Sequence, residues 1–291
     1  MSSWKSLLLS LHYHASHPWR ARRNARWQAE GRAPIIALFA HRVADDRANL
    51  WTESTDMFRR QIRWLRRHFD LVSLEEAQRR IQGGYNDRAC VTLTFDDGYA
   101  DNCREALPFL LNQGVPFTYF VSTHFMLTGE PFPHDVALNR PLAPNTPRQI
   151  RELAQAGVEI GGHTRCHLDL GPVTDAGRLH DEMFVARGEL EQLTGTRVRY
   201  FAFPFGQRRN LSQAAFEAAH AAGYEAVCSA YGGFNFPGDD SFHIQRIHLD
   251  DNMTRMKNWV TGDPRKLRSL ERFQYDRQFL ELPANAAGIG V

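Results

Sequence analysis

Cysteine is sparse in this chain, with four in 291 residues. Cys90, Cys103, Cys166 and Cys228 lie far apart, so no zinc finger, redox dithiol or disulfide framework is expected. Cys90 and Cys228 sit in apolar, strand-like runs and read as small core residues. An excess of charge is also missing. Lys and Arg number 35 against 33 Asp and Glu, a net of +2, and that balance asks for no nucleic acid partner. No apolar run approaches the ~18 residues of a transmembrane span. The run Trp4 to Leu11 is too short for a signal peptide. His12, His14, Arg20, Arg22 and Arg23 follow it with no small-residue cleavage site. A cytoplasmic protein is therefore expected. Residues 1–33 read as a basic, amphipathic extension, either docked on the main domain or in peripheral contact with a membrane. His12, His14 and His17 suggest a ligand cluster, but no acid or cysteine completes it.

What is present supports a core: 43% of residues are hydrophobic, and the length suits one large domain. Short apolar runs alternate with helical patterns. Strands are expected at 34–39, 69–72, 89–95, 116–121, 158–160, 200–203, 226–228 and 244–249. Helices are expected between them. Ser73 with Glu76, and Thr146-Pro147 with Gln149, carry helix-start signatures. Residues 122–145 show little periodicity and four prolines, a length that is usually functional or mobile. Such alternation implies a parallel sheet, closed or open. His41, Asp96-Asp97, His163/His167, Pro204-Phe205-Gly206 and Arg246/His248 all fall at or just past strand C-terminal ends. That is the face on which barrels assemble their sites, which favours a closed barrel. The tail 263–291 reads as polar and helical with a loose end.

The chemistry begins with Asp96-Asp97, two carboxylates at the end of a buried strand. Their charge is costly there unless a cation or a proton offsets it. His163 and His167 add two imidazoles four residues apart, after Gly161-Gly162, which read as a tight turn. One carboxylate and two imidazoles make a metal-ligand set and leave the second carboxylate free as a base. Taken alone, Asp-Asp-Gly is an ordinary turn and Phe203-Pro204-Phe205-Gly206 an ordinary strand end. The acid pair and the histidine pair together argue against the turn reading; the third motif carries weight only beside them.

In that order, Thr94-Phe95-Asp96-Asp97-Gly98, His163-Thr164-Arg165-Cys166-His167 and Phe201-Ala202-Phe203-Pro204-Phe205-Gly206 resemble the polysaccharide deacetylase family (NodB-homology, carbohydrate esterase family four). The resemblance spans roughly 34–251, the domain expected over 34–262. It lies with the branch whose third motif reads Phe-Ala-Tyr-Pro-Tyr-Gly, which includes enzymes of exopolysaccharide precursors. It implies a distorted (β/α) barrel of about seven parallel strands. It also implies a divalent ion, usually Zn2+, sometimes Co2+ or Ni2+. Asp96 would be the base that activates water on that ion, with Asp97, His163 and His167 as ligands. The N–H of Phe205, after Pro204, would help hold the oxyanion, and Tyr99 would lie near substrate. The substrate would be an acetylated amino-sugar glycan or its lipid-linked precursor.

The chain departs from the family in one respect. Most relatives carry an Arg two residues before the proline of the third motif, bracing the base, and this chain has Ala202. Arg246 is the candidate replacement. Alternation places Arg246 and His248 on one face of a strand. His248, or else His41, would protonate the departing amine. Cys166 reads as a spacer, and Phe132-Pro133-His134-Asp135 as loop packing with a sugar contact as the alternative. Three other functions share the same residues: an O-acetyl esterase, a non-heme iron oxygenase, and a carbohydrate-binding module without catalysis. Strand–helix alternation argues against the second, and an intact base and ligand set against the third.

Overall fold

The computed structural model describes residues 3–267 and 271–281. Seven strands form the barrel: β1 (Ile35–Ala40), β2 (Cys90–Phe95), β3 (Phe117–Val121), β4 (Glu159–Gly162), β5 (Tyr200–Ala202), β6 (Ala226–Ser229) and β7 (His243–His248). Each pairs in parallel with the next, and β1 pairs with both β2 and β7, which closes the ring. The run at 69–72 contributes only the two-residue strand Asp70–Leu71, laid on the edge of β2 below β3. A second small ladder pairs Arg42–Val43 with Thr52–Glu53.

Side-chain alternation sorts the barrel into two sets. Ile35, Ala37, Cys90, Phe120, Tyr200, Ala202, Ala226, Cys228 and Ile244 form one cluster with Val72, Leu74, Ala77 and Ile81. The helix Leu74–Gln82 therefore packs against the interior set, and Ser73 caps it by accepting from the Glu76 N–H. The alternate positions, among them Ile36, Leu38, Val91, Leu93, Phe95, Phe201 and Val227, pack outward under the surrounding helices. Cys90 and Cys228 are core residues, as expected, and all four cysteines are free.

Gly161 and Gly162 lie within β4 at negative φ. A Cβ on Gly161 would meet the Phe120 ring at 2.3 Å, and one on Gly162 the Tyr224 hydroxyl at 2.4 Å. Close packing, not the turn expected from sequence, requires them. The turn strain falls one step later, at Thr164 (φ 59°) and His167 (φ 53°).

Residues 122–145 are not the irregular loop their composition suggests. They hold the helices Thr123–Thr128 and Pro133–Ala137. Phe125, Phe132 and Leu142 cluster there with Tyr99, against Trp51. The Thr146–Gln149 capping box forms as its residues imply.

The N-terminal segment is one helix, Ser3–Ala29. One face docks on the helix Met253–Val260. Arg20 is buried there and donates to the Asn258 carbonyl and the Thr261 hydroxyl, both at 2.9 Å. Trp4, Leu7, Leu8, Leu11 and Trp19 remain exposed. His12, rather than joining a ligand cluster, pairs with Asp263 at 3.2 Å. No helix among the described residues is long and apolar enough to cross a membrane. The described part of the tail is less helical than its composition suggests. Short turns at Pro264–Leu267 and Gln278–Glu281 flank an irregular stretch, 271–277. There Phe273 and Tyr275 stack on Phe216 because the barrel side offers them an aromatic surface. The end expected to be loose, 282–291, lies outside the described residues.

Candidate active site

At the C-terminal mouth of the barrel a pocket of about 460 Å³ is lined by His41, Trp51, Asp96, Asp97, His134, His163, His167, Phe205 and His248, among others. Asp96 and Asp97 follow β2, and the chain turns between them because Asp97 adopts φ 73°. Among the described residues, four of the six non-glycine residues at positive φ (Asp97, Thr164, His167 and Phe205) belong to this site. Each is a conformation that costs about 1–3 kcal/mol and persists only where the surroundings enforce it.

Part of that enforcement is visible at the histidine turn. Buried Glu182 accepts from the backbone N–H of Arg165 at 3.0 Å and of Cys166 at 2.8 Å. Glu182 sits in a π-helical segment, His180–Val185, between the helices Ala176–Leu179 and Ala186–Thr194. Cys166 thus meets the carboxylate through its backbone, as a spacer would.

Asp97 Oδ1 lies 3.2 Å from His163 Nε2 and 3.1 Å from His167 Nε2, yet accepts no aligned hydrogen bond. The three ligand-capable atoms lie within 4.8 Å of one another. His163 Nδ1 is 2.8 Å from the Ala202 carbonyl. Donation there puts the ring proton on Nδ1 and leaves the Nε2 lone pair facing Asp97, the usual arrangement behind a metal-ligating histidine. Burial would raise the Asp97 pKa, but positive charge on its imidazole side would hold it well below the usual carboxylate range, whether that charge is a proton or a cation. A buried, unpaired carboxylate oxygen facing two imidazole nitrogens fits a divalent cation.

Asp96 is gripped by Arg246 with two parallel bonds, Nη1 to Oδ1 at 2.7 Å and Nη2 to Oδ2 at 2.8 Å. Arg246 is itself fixed by the Ser229 carbonyl (3.1 Å), the Thr94 hydroxyl (2.9 Å) and the faces of Phe39 and Phe120. Burial opposes ionisation of Asp96, and the Arg246 charge beside it overcomes that, so its pKa is lowered. Arg246 thus reaches Asp96 from β7, while Ala202 on β5 carries no group that could.

His41 and His248 stand with ring centroids 5.7 Å apart, both against Phe39. Burial lowers both pKa values, that of His248 to about 4. His41 Nδ1 is buried without a partner. Phe205 is 52% exposed, its ring edge-on to His167 at 5.0 Å. Its N–H meets no acceptor among the described residues. Pro204 closes the turn by accepting from the Gly206 N–H at 2.6 Å.

Tyr99 does not line the pocket. It is fully buried, and its hydroxyl donates to Asp135 at 2.9 Å, lies 2.9 Å from His134 Nε2 and accepts from Trp51 Nε1 at 3.2 Å. It holds the lining rather than facing substrate, because its side chain is the centre of the small core under 122–145. His134, which loop packing would have left aside, does line the pocket, with its ring 5.3 Å from that of His167. Sequence reasoning missed Trp51, Glu182 and Gln207. Only an aromatic in a polar loop hints at Trp51, and nothing local marks the other two.

These features define a parallel barrel with a candidate cation site and two further acid–base groups, Asp96 and His248, at its mouth. Residues 83–227, about half of the chain, match the family model for polysaccharide deacetylases, and the chain is similar to that family. It is 25% identical over 199 residues to YxkH of Bacillus subtilis (strain 168), a provisionally named polysaccharide deacetylase. That match covers 68% of this chain and 65% of the relative, so just under two thirds of the relative's length is spanned. Among solved structures, IcaB from Ammonifex degensii superposes with TM-score 0.65 at 24% identity, covering 79% of this chain and 97% of that one. The de-N-acetylase from Aggregatibacter actinomycetemcomitans gives 0.64 at 20%, covering 78% and 99%. Streptococcus pyogenes PplD, a deacetylase solved with acetate, gives 0.65 at 21%, covering 79% and 99%. At these identities the likeness is one of fold.

Proposed function

We propose that this protein is a metal-dependent deacetylase that hydrolyses N-acetyl groups on amino sugars of a polysaccharide or its lipid-linked precursor. The observation that carries this reading is the Asp97–His163–His167 cluster with the Arg246-braced Asp96 beside it. A divalent ion there, Zn2+ first and Co2+ or Ni2+ next, would supply Lewis acidity and bring a water's pKa toward neutrality. Asp96, kept ionised by Arg246, takes a proton from the attacking water. The free N–H of Phe205 faces the developing oxyanion. The departing amine needs a proton that an ester cleavage does not; His248 or His41, whose pKa values burial lowers, would relay to it the proton taken from water rather than hold one in advance.

The donor question has a direct readout. His248→Ala lowers acetate release from an N-acetylated oligomer by about 10²-fold, the usual contribution of a general acid, and barely changes release from an O-acetylated one. If His41→Ala does this and His248→Ala does not, the roles are exchanged. If both substrates respond equally, the donor role fails. Purified protein is expected to hold roughly one divalent ion per chain by elemental analysis, as a three-ligand site does. His163→Ala or His167→Ala removes it, and retention of the ion in both variants contradicts the ligand set.

A lipid-linked substrate agrees with the N-terminal helix. It exposes Trp4, Leu7, Leu8 and Leu11 and carries no acidic residue over Ser3–Ala29. Such a face suits an anionic membrane surface. The full chain is expected to float with anionic vesicles at low salt, and Leu7→Ser/Leu11→Ser to lose most of that binding. Equal flotation of both proteins removes the helix from the interaction.

A further inference from the structure

Beside the catalytic pocket lies a second cavity of about 270 Å³, walled in part by Trp51, Glu53, Asp250, Asp251 and Arg255. The two cavities share Leu50, Trp51 and His248, so they adjoin along one groove. Glu53 is 3% exposed, and neither carboxylate oxygen has a hydrogen-bond partner. Its backbone is pinned in the ladder with Arg42–Val43. Burial, with Asp251 and Asp250 nearby, pushes its pKa well above the usual range. Asp250 is paired with Arg255. Asp251 is exposed and has no ion pair or hydrogen bond among the described residues. A buried polar group without a partner is costly, and two more acids beside it increase the demand for positive charge.

We infer that this cavity is a second sugar subsite, selective for a glucosamine unit whose free amine is protonated: Glu53 and Asp251 receive the ammonium, and Trp51 offers its face to the pyranose. The inference rests on the deacetylase reading, because hydrolysis in the adjoining pocket produces just such amines. Trp51 is held for the task by its Nε1 bond to the Tyr99 hydroxyl at 3.2 Å and its edge contact with His134. A metal ion fits less well. Among the described residues, Asp97, His163 and His167 are the one trio of ligand atoms within 4.8 Å of one another, and Glu53, Asp250 and Asp251 do not converge so closely. An ammonium with three N–H donors can bridge acids set farther apart. A neutral N-acetyl group offers these carboxylates no charge, so the cavity distinguishes a deacetylated unit from an acetylated one. One hydrolysis on a strand then favours binding for the next.

The test is calorimetric titration of glucosamine and N-acetylglucosamine oligomers of equal length, at about pH 6, where the amine carries its proton. It is done in the Asp96→Asn background to prevent turnover. The glucosamine oligomer should bind more tightly. Glu53→Gln/Asp251→Asn should reduce that preference by about tenfold, the loss expected when charge-assisted hydrogen bonds are removed. Ammonium binding should also drive a proton off Glu53, so the apparent enthalpy should change with the buffer's ionisation enthalpy, and that dependence should vanish in Glu53→Gln. Equal affinity for the two oligomers, or an unchanged preference in the double variant, overturns the subsite. So does stoichiometric uptake of a second divalent ion that Glu53→Gln abolishes. Because these readouts need no turnover, they separate the two ideas. Acetate release without an ammonium preference removes only the subsite, and an absence of acetate release from any glycan removes the deacetylase.

Folding of the variant can be checked independently. A carboxyl whose folded pKa is raised contributes stability that is fully present below its unfolded pKa and lost as pH rises toward the folded value. Above the ordinary glutamate range, Glu53→Gln is therefore expected to melt at a higher temperature than wild type, with the gap widening as pH rises. A gap that stays constant with pH would mean that Glu53 ionises in the folded protein at little cost.

Discussion

Asp96→Asn should lower kcat for acetate release by about 10³-fold, within the range for loss of a general base, while leaving the metal content of the purified chain unchanged. The two parts of that result belong together. Asp96 is occupied on both oxygens by Arg246, whereas the unpaired buried oxygen facing the imidazoles belongs to Asp97. Asparagine preserves shape and one acceptor but cannot take the proton. Asp97→Asn should show the converse pattern, losing the ion along with activity. If Asp96→Asn loses metal as Asp97→Asn does, the assignment of base and ligand is wrong.

Arg246→Ala should have the second-largest effect, on stability and activity together. The pair is almost fully buried, with side-chain exposures of 0% and 3%. Removing one partner of a buried pair leaves an uncompensated charge and costs about 3–5 kcal/mol. Differential scanning calorimetry should show that loss as a large fall in Tm. Activity should fall mainly in kcat with KM little moved, because Arg246 positions Asp96 and does not line the pocket. Arg246→Lys should restore part of the stability but little of kcat, since an ammonium cannot make the two parallel bonds of a guanidinium. A change confined to KM would place Arg246 in substrate binding.

How much of this could be read from the residues depends on distance along the chain. The Asp-Asp pair and the spaced histidines are local patterns, so their place at the barrel mouth followed from strand ends and alternation alone. Arg246 was legible for the same reason: it stands two residues before His248 on one strand face, and Ala202 left a vacancy for it. Tyr99 was misplaced because its position after the acids says nothing of the aromatic residues that later close over it. Gly161 and Gly162 were read as a turn, yet what they accommodate are Phe120 and Tyr224, one earlier and one much later in sequence. Trp51, Glu182 and Glu53 reach the site only through tertiary packing. Their significance lies in missing or borrowed hydrogen-bond partners, which no spacing rule encodes.

Strain adds a further constraint. The turn residues Asp97, Thr164, His167 and Phe205 all take positive φ around one point, while Glu182 holds the histidine turn from below. A site that stores strain in four places is built for placement of atoms rather than for stability.

The most direct test of the central claim is a screen for acetate release over a panel of N- and O-acetylated glycans, with metal-loaded and chelated enzyme side by side. The expected result is acetate from N-acetylated amino-sugar oligomers, abolished by the chelator and restored by Zn2+. Metal-replete protein that releases no acetate from any glycan, or release that is indifferent to the chelator, would contradict the account.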